Sequence, residues 1–271
     1  MKKNLLERCE VELIIRGYSK RTVKSYTTCI KKYLRFVGED VPSFSEERIK
    51  DFLVYKKRQN CAPKTLHVYL SAVKFLYRKV LGVWHKIDIK FAKRNVRNPV
   101  VLSHQKIMDL IGTYQNLKHK ILVALAYGTG LRVSEVTNLK IRDLDFYQNL
   151  INVRQGKGAK DRVTLLPDVL VDDLKGLIND RSFNDYVFES QLGGKLSTRT
   201  LQKIFQNGLR RANIQEKATF HSLRHSFATH LLDGGVQLCY IQKLLGHSNI
   251  RTTQIYTKVS IGAIKAIKSP L

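Results

Sequence analysis

Four places in the chain set polar side chains at spacings that helix packing alone does not ask for. In GTGLRVSEV, Arg132 follows a glycine turn and opens a helix, with Glu135 one turn on. A guanidinium there is either a solvated N-terminal residue or a bidentate ligand for phosphate, whose geometry its planar fork matches. In GKGAK, Lys157 lies among glycines that permit close backbone approach. Its ammonium is either exposed on a hairpin or able to follow a nucleic-acid strand into a site. HSLRHSFATHLLDGG places Leu223, Phe227 and Leu231 on one helical face and gathers His221, Arg224 and His225 on another. Finally, KLLGHSNIRTTQIYTKVS ends an apolar run at a glycine and then carries His247 and Tyr256. That tyrosine either packs its ring with the hydroxyl at water or offers the hydroxyl as a nucleophile, which requires activating groups elsewhere.

The elements that must position these residues are mostly helical. NLLERCEVELIIRG, SKRTVKSYTTCIKKYLRFVG and SEERIKDFLVYKKRQN read as helices, the second with Ser19 as N-cap and Gly38 as stop. After Pro63, Leu66, Tyr69, Leu70, Val73, Leu76 and Val80 recur at helical spacing, while Lys64, His67, Ser71, Lys74 and Arg78 form a second stripe. That stripe is either a solvated face or a nucleic-acid contact. A connector ending at Asn98-Pro99 loses helical periodicity. Helical signal resumes at Ser103 and runs to Gly128 and Gly130, which bracket a turn. The period then changes to two: Ile151 and Val153 alternate with Asn152 and Arg154, a glycine-rich turn follows, and a second strand ends at Pro167. The fold class expected is mainly α with a small antiparallel β-sheet in the second half.

Charge points to a polyanionic partner. The chain has 271 residues, with 48 Lys and Arg against 22 Asp and Glu, a net charge of +26. The excess divides almost evenly about residue 95, so both halves are built to face a polyanion rather than one carrying a basic tail. With 43% hydrophobic residues the chain can bury a core, which excludes a disordered polycation. No apolar run approaches the roughly 18 residues of a membrane span, so a soluble cytoplasmic protein is expected. Cys9, Cys29, Cys61 and Cys239 form no CxxC pair, which fits reduced thiols.

Taken in order, GTGLRVSEV, GKGAKDR, HSLRHSFATHLL, LLGHSNIRTT and IYT resemble the tyrosine recombinase (phage integrase) superfamily, and among its members the compact Xer-type site-specific recombinases. GYSKRTVKSYTTCIKKYLRFVG resembles the helical core-binding domain of that family. The resemblance implies a two-domain DNA clamp: a core-binding domain over 1–85, a linker over 86–101, and a catalytic domain with a C-terminal tail over 102–271. It implies that Arg132 and Arg224 grip the scissile phosphate, with Glu135 in support. His221 is then a hydrogen-bond partner and general base, Lys157 the general acid to the 5′ oxygen, His247 a further donor, and Tyr256 the nucleophile. The implied product is a 3′-phosphotyrosyl link, formed without metal or other cofactor. The implied partner is double-stranded DNA at a short core site with inverted half-sites. A homotetramer, or a pairing with a related recombinase, would assemble on synapsed DNA, with the tail residues Ile261, Ile264 and Ile267 docking onto a neighbouring protomer or back onto their own. Chromosome dimer resolution and mobile-element integration or excision both remain open. Alternatives on the same scaffold are a non-catalytic DNA-binding regulator and a topoisomerase-like strand-passing enzyme. A zinc site built from His221, His225, His230, His247 and Cys239 lacks the HExxH glutamate and any CxxC.

Overall fold

A computed structural model describes residues 2–39, 42–91, 98–154 and 161–257. Lys157 and its turn, residues 92–97 of the linker, and the tail with Ile261, Ile264 and Ile267 lie outside the described residues. The chain divides into two units, Met1–Arg94 and Asn95–Leu271.

The first unit contains α1 (Lys2–Ile15), α2 (Lys20–Val37), α3 (Glu46–Arg58) and α4 (Pro63–Phe75). Ser19 caps α2 by accepting from the Thr22 backbone N–H at 3.2 Å, and Gly38 ends it at φ +77°, a conformation in which a Cβ is strained. Apolar stripes of the four helices converge on Leu13, Ile30, Ile49, Phe52, Tyr69 and Val73. The pattern expected to run through α4 to Val80 continues past Phe75 as a π-helical turn, Leu76–Val80. Tyr77 on that turn is buried and shares a 2.9 Å hydroxyl hydrogen bond with Tyr33 of α2.

The second unit contains α5 (His104–Gly112), α6 (Leu117–Thr129), α7 (Val133–Asn138), β1 (Leu144–Asp145), β2 (Leu150–Val153), β3 (Arg162–Leu165), α8 (Val171–Ile178), α9 (Thr198–Arg211), α10 (Phe220–Asp233) and α11 (Leu238–Leu245). α6 is buried on several sides through Ile121, Leu122, Val123, Leu125 and Ala126, as a central helix must be. The strands pair antiparallel in the order β1-β2-β3, with Leu144 opposite Ile151 and Val153 opposite Arg162. Ile151 and Val153 point inward and Asn152 outward, the alternation expected, and β1 adds a third strand. One expectation fails: Gly128 is no part of a turn but lies inside α6, where a Cβ would meet the Pro167 ring at 2.6 Å. The turn belongs to Gly130 alone.

Candidate active site

The break between α6 and α7 depends on Gly130. Its φ is +62°, and a Cβ there would fall 2.4 Å from Phe227 of α10, so both backbone and space require glycine. The chain then enters α7 with Arg132 as N-cap. Glu135 folds back over that end: its carboxylate accepts the Arg132 backbone N–H at 2.7 Å and Arg132 Nη1 at 2.6 Å. Arg162, on β3, completes the arrangement with Nη1 and Nη2 donating to the two Glu135 oxygens, each at 2.8 Å, while its Nε donates to the Leu244 carbonyl at 2.8 Å. The Arg162 and Glu135 side chains are 7% and 6% exposed, which makes this a desolvated bidentate pair. Burial pushes the Glu135 carboxyl up, but the Arg162 bonds and charge, followed by Arg132, outweigh it and hold the pKa at about 2.

Arg224 projects from α10 and is 1% exposed. Nη1 donates to the Gly130 carbonyl at 2.7 Å, and Nη2 donates to the Leu245 carbonyl at 2.5 Å and to His247 Nε2 at 3.1 Å. Those carbonyls close α6 and α11, where helix ends leave acceptors unsatisfied and the helix dipole favours a cation. Nη1 also lies 3.9 Å from the Glu135 carboxylate. Burial first and Arg132 second lower the Arg224 pKa to about 9, so it is charged at neutral pH. Its Nε is buried with no hydrogen-bond partner among the described residues. Among the described residues, then, the Glu135 carboxylate is shared by three guanidiniums, an excess of two positive charges in that contact set, with Asp161 lining the cleft beside Arg132 and Arg162.

The imidazoles lie beside this cluster. Because His247 Nε2 accepts from Arg224, its proton sits on Nδ1 and is donated to Thr253 Oγ1 at 2.9 Å. Burial, then Arg224 and Arg132, depress its pKa to about 3, which keeps the ring neutral. His247 and Arg132 line one cleft together with Arg162, Gln242 and Lys243. The Tyr256 ring lies nearly parallel to that of His247, 6.5 Å between centroids. Tyr256 is only 1% exposed, packed with Phe227, Ala228, Ile241 and Leu245, and its hydroxyl meets His225 Nδ1 at 3.2 Å. Burial raises its pKa while Arg224 and Arg132 oppose the rise. His221, exposed on the first turn of α10, lies edge-to-face against His225 at 4.5 Å between centroids. Crowding by protein, then Arg224 and Arg132, lower its pKa.

The structure thus brings Arg132, Glu135, His221, Arg224, His247 and Tyr256 to one place. In the first unit, Lys64, His67, Ser71 and Arg78 are exposed along α4 and its π-turn, Lys74 is half-buried, and His67 packs against Phe91 at 4.4 Å between ring centroids. Two contributors escaped the sequence reading. Arg162 looks like one more charge on a basic hairpin, although its pairing with the inward-pointing Val153 places it on the buried face. In sequence His225 is a neighbour of Arg224; in the structure it is the hydrogen-bond partner of Tyr256. Among the described residues, no group of three or more His, Cys, Asp and Glu is placed to hold a metal ion.

Comparison with known proteins bears directly on this arrangement. Residues 101–261 match the phage integrase family, and residues 5–86 match the phage integrase N-terminal SAM-like domain. The chain belongs to the phage integrase family. Tyrosine recombinase XerA of Thermococcus kodakarensis is 36% identical over 264 residues, 95% of this chain and 91% of that protein. A crystal structure of XerA recombinase aligns over 98% of this chain and 96% of its own, with 30% identity and a TM-score of 0.57. The post-cleavage complex of XerH site-specific recombinase bound to palindromic difH substrate aligns over 92% of this chain and 80% of its own, with a TM-score of 0.75. At 20% identity that likeness speaks for the fold alone. This phage integrase family member is a tyrosine recombinase, an enzyme of site-specific DNA recombination, rather than a regulator or a topoisomerase on the same scaffold.

Proposed function

We propose that the chain cleaves and rejoins double-stranded DNA at a short core site with inverted half-sites, through a 3′-phosphotyrosyl link to Tyr256. The observation that carries this reading is the excess of two positive charges around Glu135, gathered beside a tyrosine hydroxyl. A phosphodiester under attack by an oxyanion accumulates two negative charges, which preorganised guanidiniums stabilise without reorganisation. In this reading Arg132 and Arg224 hold the non-bridging oxygens, Glu135 keeps the two guanidiniums apart and oriented, and His221 donates to the phosphate from the rim. His247 fixes Arg224 and becomes a further phosphate contact when Arg224 turns to the substrate. Lys157 is the general acid for the 5′ oxygen. The guanidiniums supply the charge that a metal would bring in other phosphoryl-transfer sites, so the chemistry is metal-independent.

The same reading assigns residues 1–85 to core-binding, 86–101 to a linker and 102–271 to catalysis. Lys64, His67, Ser71, Lys74 and Arg78 would follow the DNA backbone. Four copies would act on two synapsed sites in the cytoplasm. No helix among the described residues is long and apolar enough to cross a membrane. The test uses a duplex half-site selected from a random pool by binding, then nicked so that cleavage traps the covalent adduct. Tyr256→Phe should bind this duplex as the unaltered protein does and form no adduct on a denaturing gel. An adduct surviving in the variant would assign the nucleophile to another residue.

A further inference from the structure

Tyr256 must lose a proton when its oxygen attacks phosphorus, and its surroundings limit where that proton goes. The side chain is 1% exposed and packed with Phe227, Ala228, Ile241 and Leu245, so protein groups rather than solvent surround the hydroxyl before substrate arrives. Among the described residues the hydroxyl has one hydrogen-bond partner, His225 Nδ1 at 3.2 Å. His221 instead places its ring against the far partner, His225, at 4.5 Å. His247 has both nitrogens engaged, by Arg224 and Thr253. We propose that His225, not His221, accepts the proton of Tyr256 as the tyrosyl oxygen bonds to phosphorus. This inference rests on Tyr256 being the nucleophile.

In the cleavage step the Oη–H bond of Tyr256 breaks, its proton moves to His225 Nδ1, and an oxygen lone pair forms the Oη–P bond. The P–O5′ bond breaks with its electron pair on O5′, which takes a proton from the general acid. Rejoining runs the same steps backwards, and His225 returns the proton to the tyrosyl oxygen. A neutral imidazole is required at the start, and burial, then His221 and Arg224, hold His225 at a pKa of about 4. A scissile phosphate resting on Arg224 offsets one of those three influences, so the substrate itself makes His225 more basic. The phenol becomes far more acidic as the Oη–P bond forms, so the transfer is late and downhill, as general base catalysis requires.

The experiment compares His225→Asn and His221→Asn, each carrying either tyrosine or the more acidic 3,5-difluorotyrosine at position 256, on the nicked half-site in single turnover. Asparagine keeps a hydrogen-bond acceptor near Nδ1 but takes no proton. His225→Asn should slow adduct formation by about 10²-fold or more with tyrosine and by less than about 10-fold with difluorotyrosine. His221→Asn should lose the same factor with both. Equal losses for His225→Asn with both tyrosines, or no loss at all, would overturn the proposal, as would rescue of His221→Asn by fluorination. If His225→Asn fails to bind the half-site, the unaltered protein decides. On a 5′-thio substrate, which needs no acid, it should show a normal solvent deuterium isotope effect that difluorotyrosine abolishes, and absence of that effect would overturn the proposal. An adduct formed by Tyr256→Phe would instead remove the underlying assignment of the nucleophile, leaving these outcomes distinct.

Discussion

The two units bury charge in opposite ways. In the first, Lys56 is 9% exposed; its ammonium lies 4.8 Å from the Tyr55 ring centroid and within 6 Å of those of Phe52 and Tyr69, with Gln59 Oε1 accepting at 2.9 Å. Aromatic faces and one amide satisfy this cation with no counter-ion among the described residues. In the second, Arg132, Arg162 and Arg224 converge on one carboxylate. Each is held, but among the described residues three guanidiniums share the one Glu135 carboxylate, an arrangement that favours an anionic ligand. The lesson is that burial of a cation by itself does not mark a reactive site. Clustered burial with too few anions does.

The difference predicts where substitutions will act. Lys157→Ala should slow cleavage by about 10²–10⁴-fold, and a substrate with sulfur at the 5′ leaving position should restore the rate, because a thiolate leaves without a proton. A defect untouched by sulfur would show that Lys157 is not the acid. Glu135→Gln should destabilise the protein by ~3 kcal/mol at neutral pH, since it leaves Arg162 buried without its partner. The sign of its pH dependence follows from a folded pKa of about 2. The carboxylate contributes its full stability above the unfolded value of about 4.3, and that stability is lost as pH falls toward the folded value. Urea unfolding of Glu135→Gln and the unaltered protein should therefore differ most above about pH 5 and converge in acid. A constant difference would mean that the ion pair contributes little.

In the first unit the effects should be on binding and smaller. Replacing Lys64, Lys74 and Arg78 together with glutamine should make log K against log salt shallower by about 0.9 for each phosphate that is no longer neutralised, while the cleavage rate at saturation is unchanged. An unchanged slope would make that stripe a solvated face. Lys56→Met should cost about 0.5–1 kcal/mol and leave cleavage alone. A stabilised variant would mean that the aromatic rings do not hold the charge, and the contrast between the units would weaken.

What could be read in advance was local. Ser19 and Gly38 declare the ends of α2 because a hydroxyl cap and a left-handed glycine act within one turn. Ile151 and Val153 declare β2 because alternation is a property of consecutive residues. Gly128 misled for the same reason: a glycine near a helix end reads as a stop, and only the Pro167 ring, 39 positions along the chain, explains why it lies inside α6.

By itself the sequence determined the helical halves, the small sheet, the shared basic excess and the residue types able to grip a phosphate and attack it. Tertiary structure alone decided how those residues are employed. The clasp of Arg162 on Glu135 joins residues 27 positions apart, and the contact of His225 with Tyr256 joins residues 31 apart. No local periodicity encodes such pairs, because they form only when β3 packs beside α6 and α11, and when the turn after α11 folds Tyr256 against Phe227 and Ala228 of α10. The pKa of each group followed that packing, since desolvation and neighbouring charge depend on distance in space rather than position along the chain.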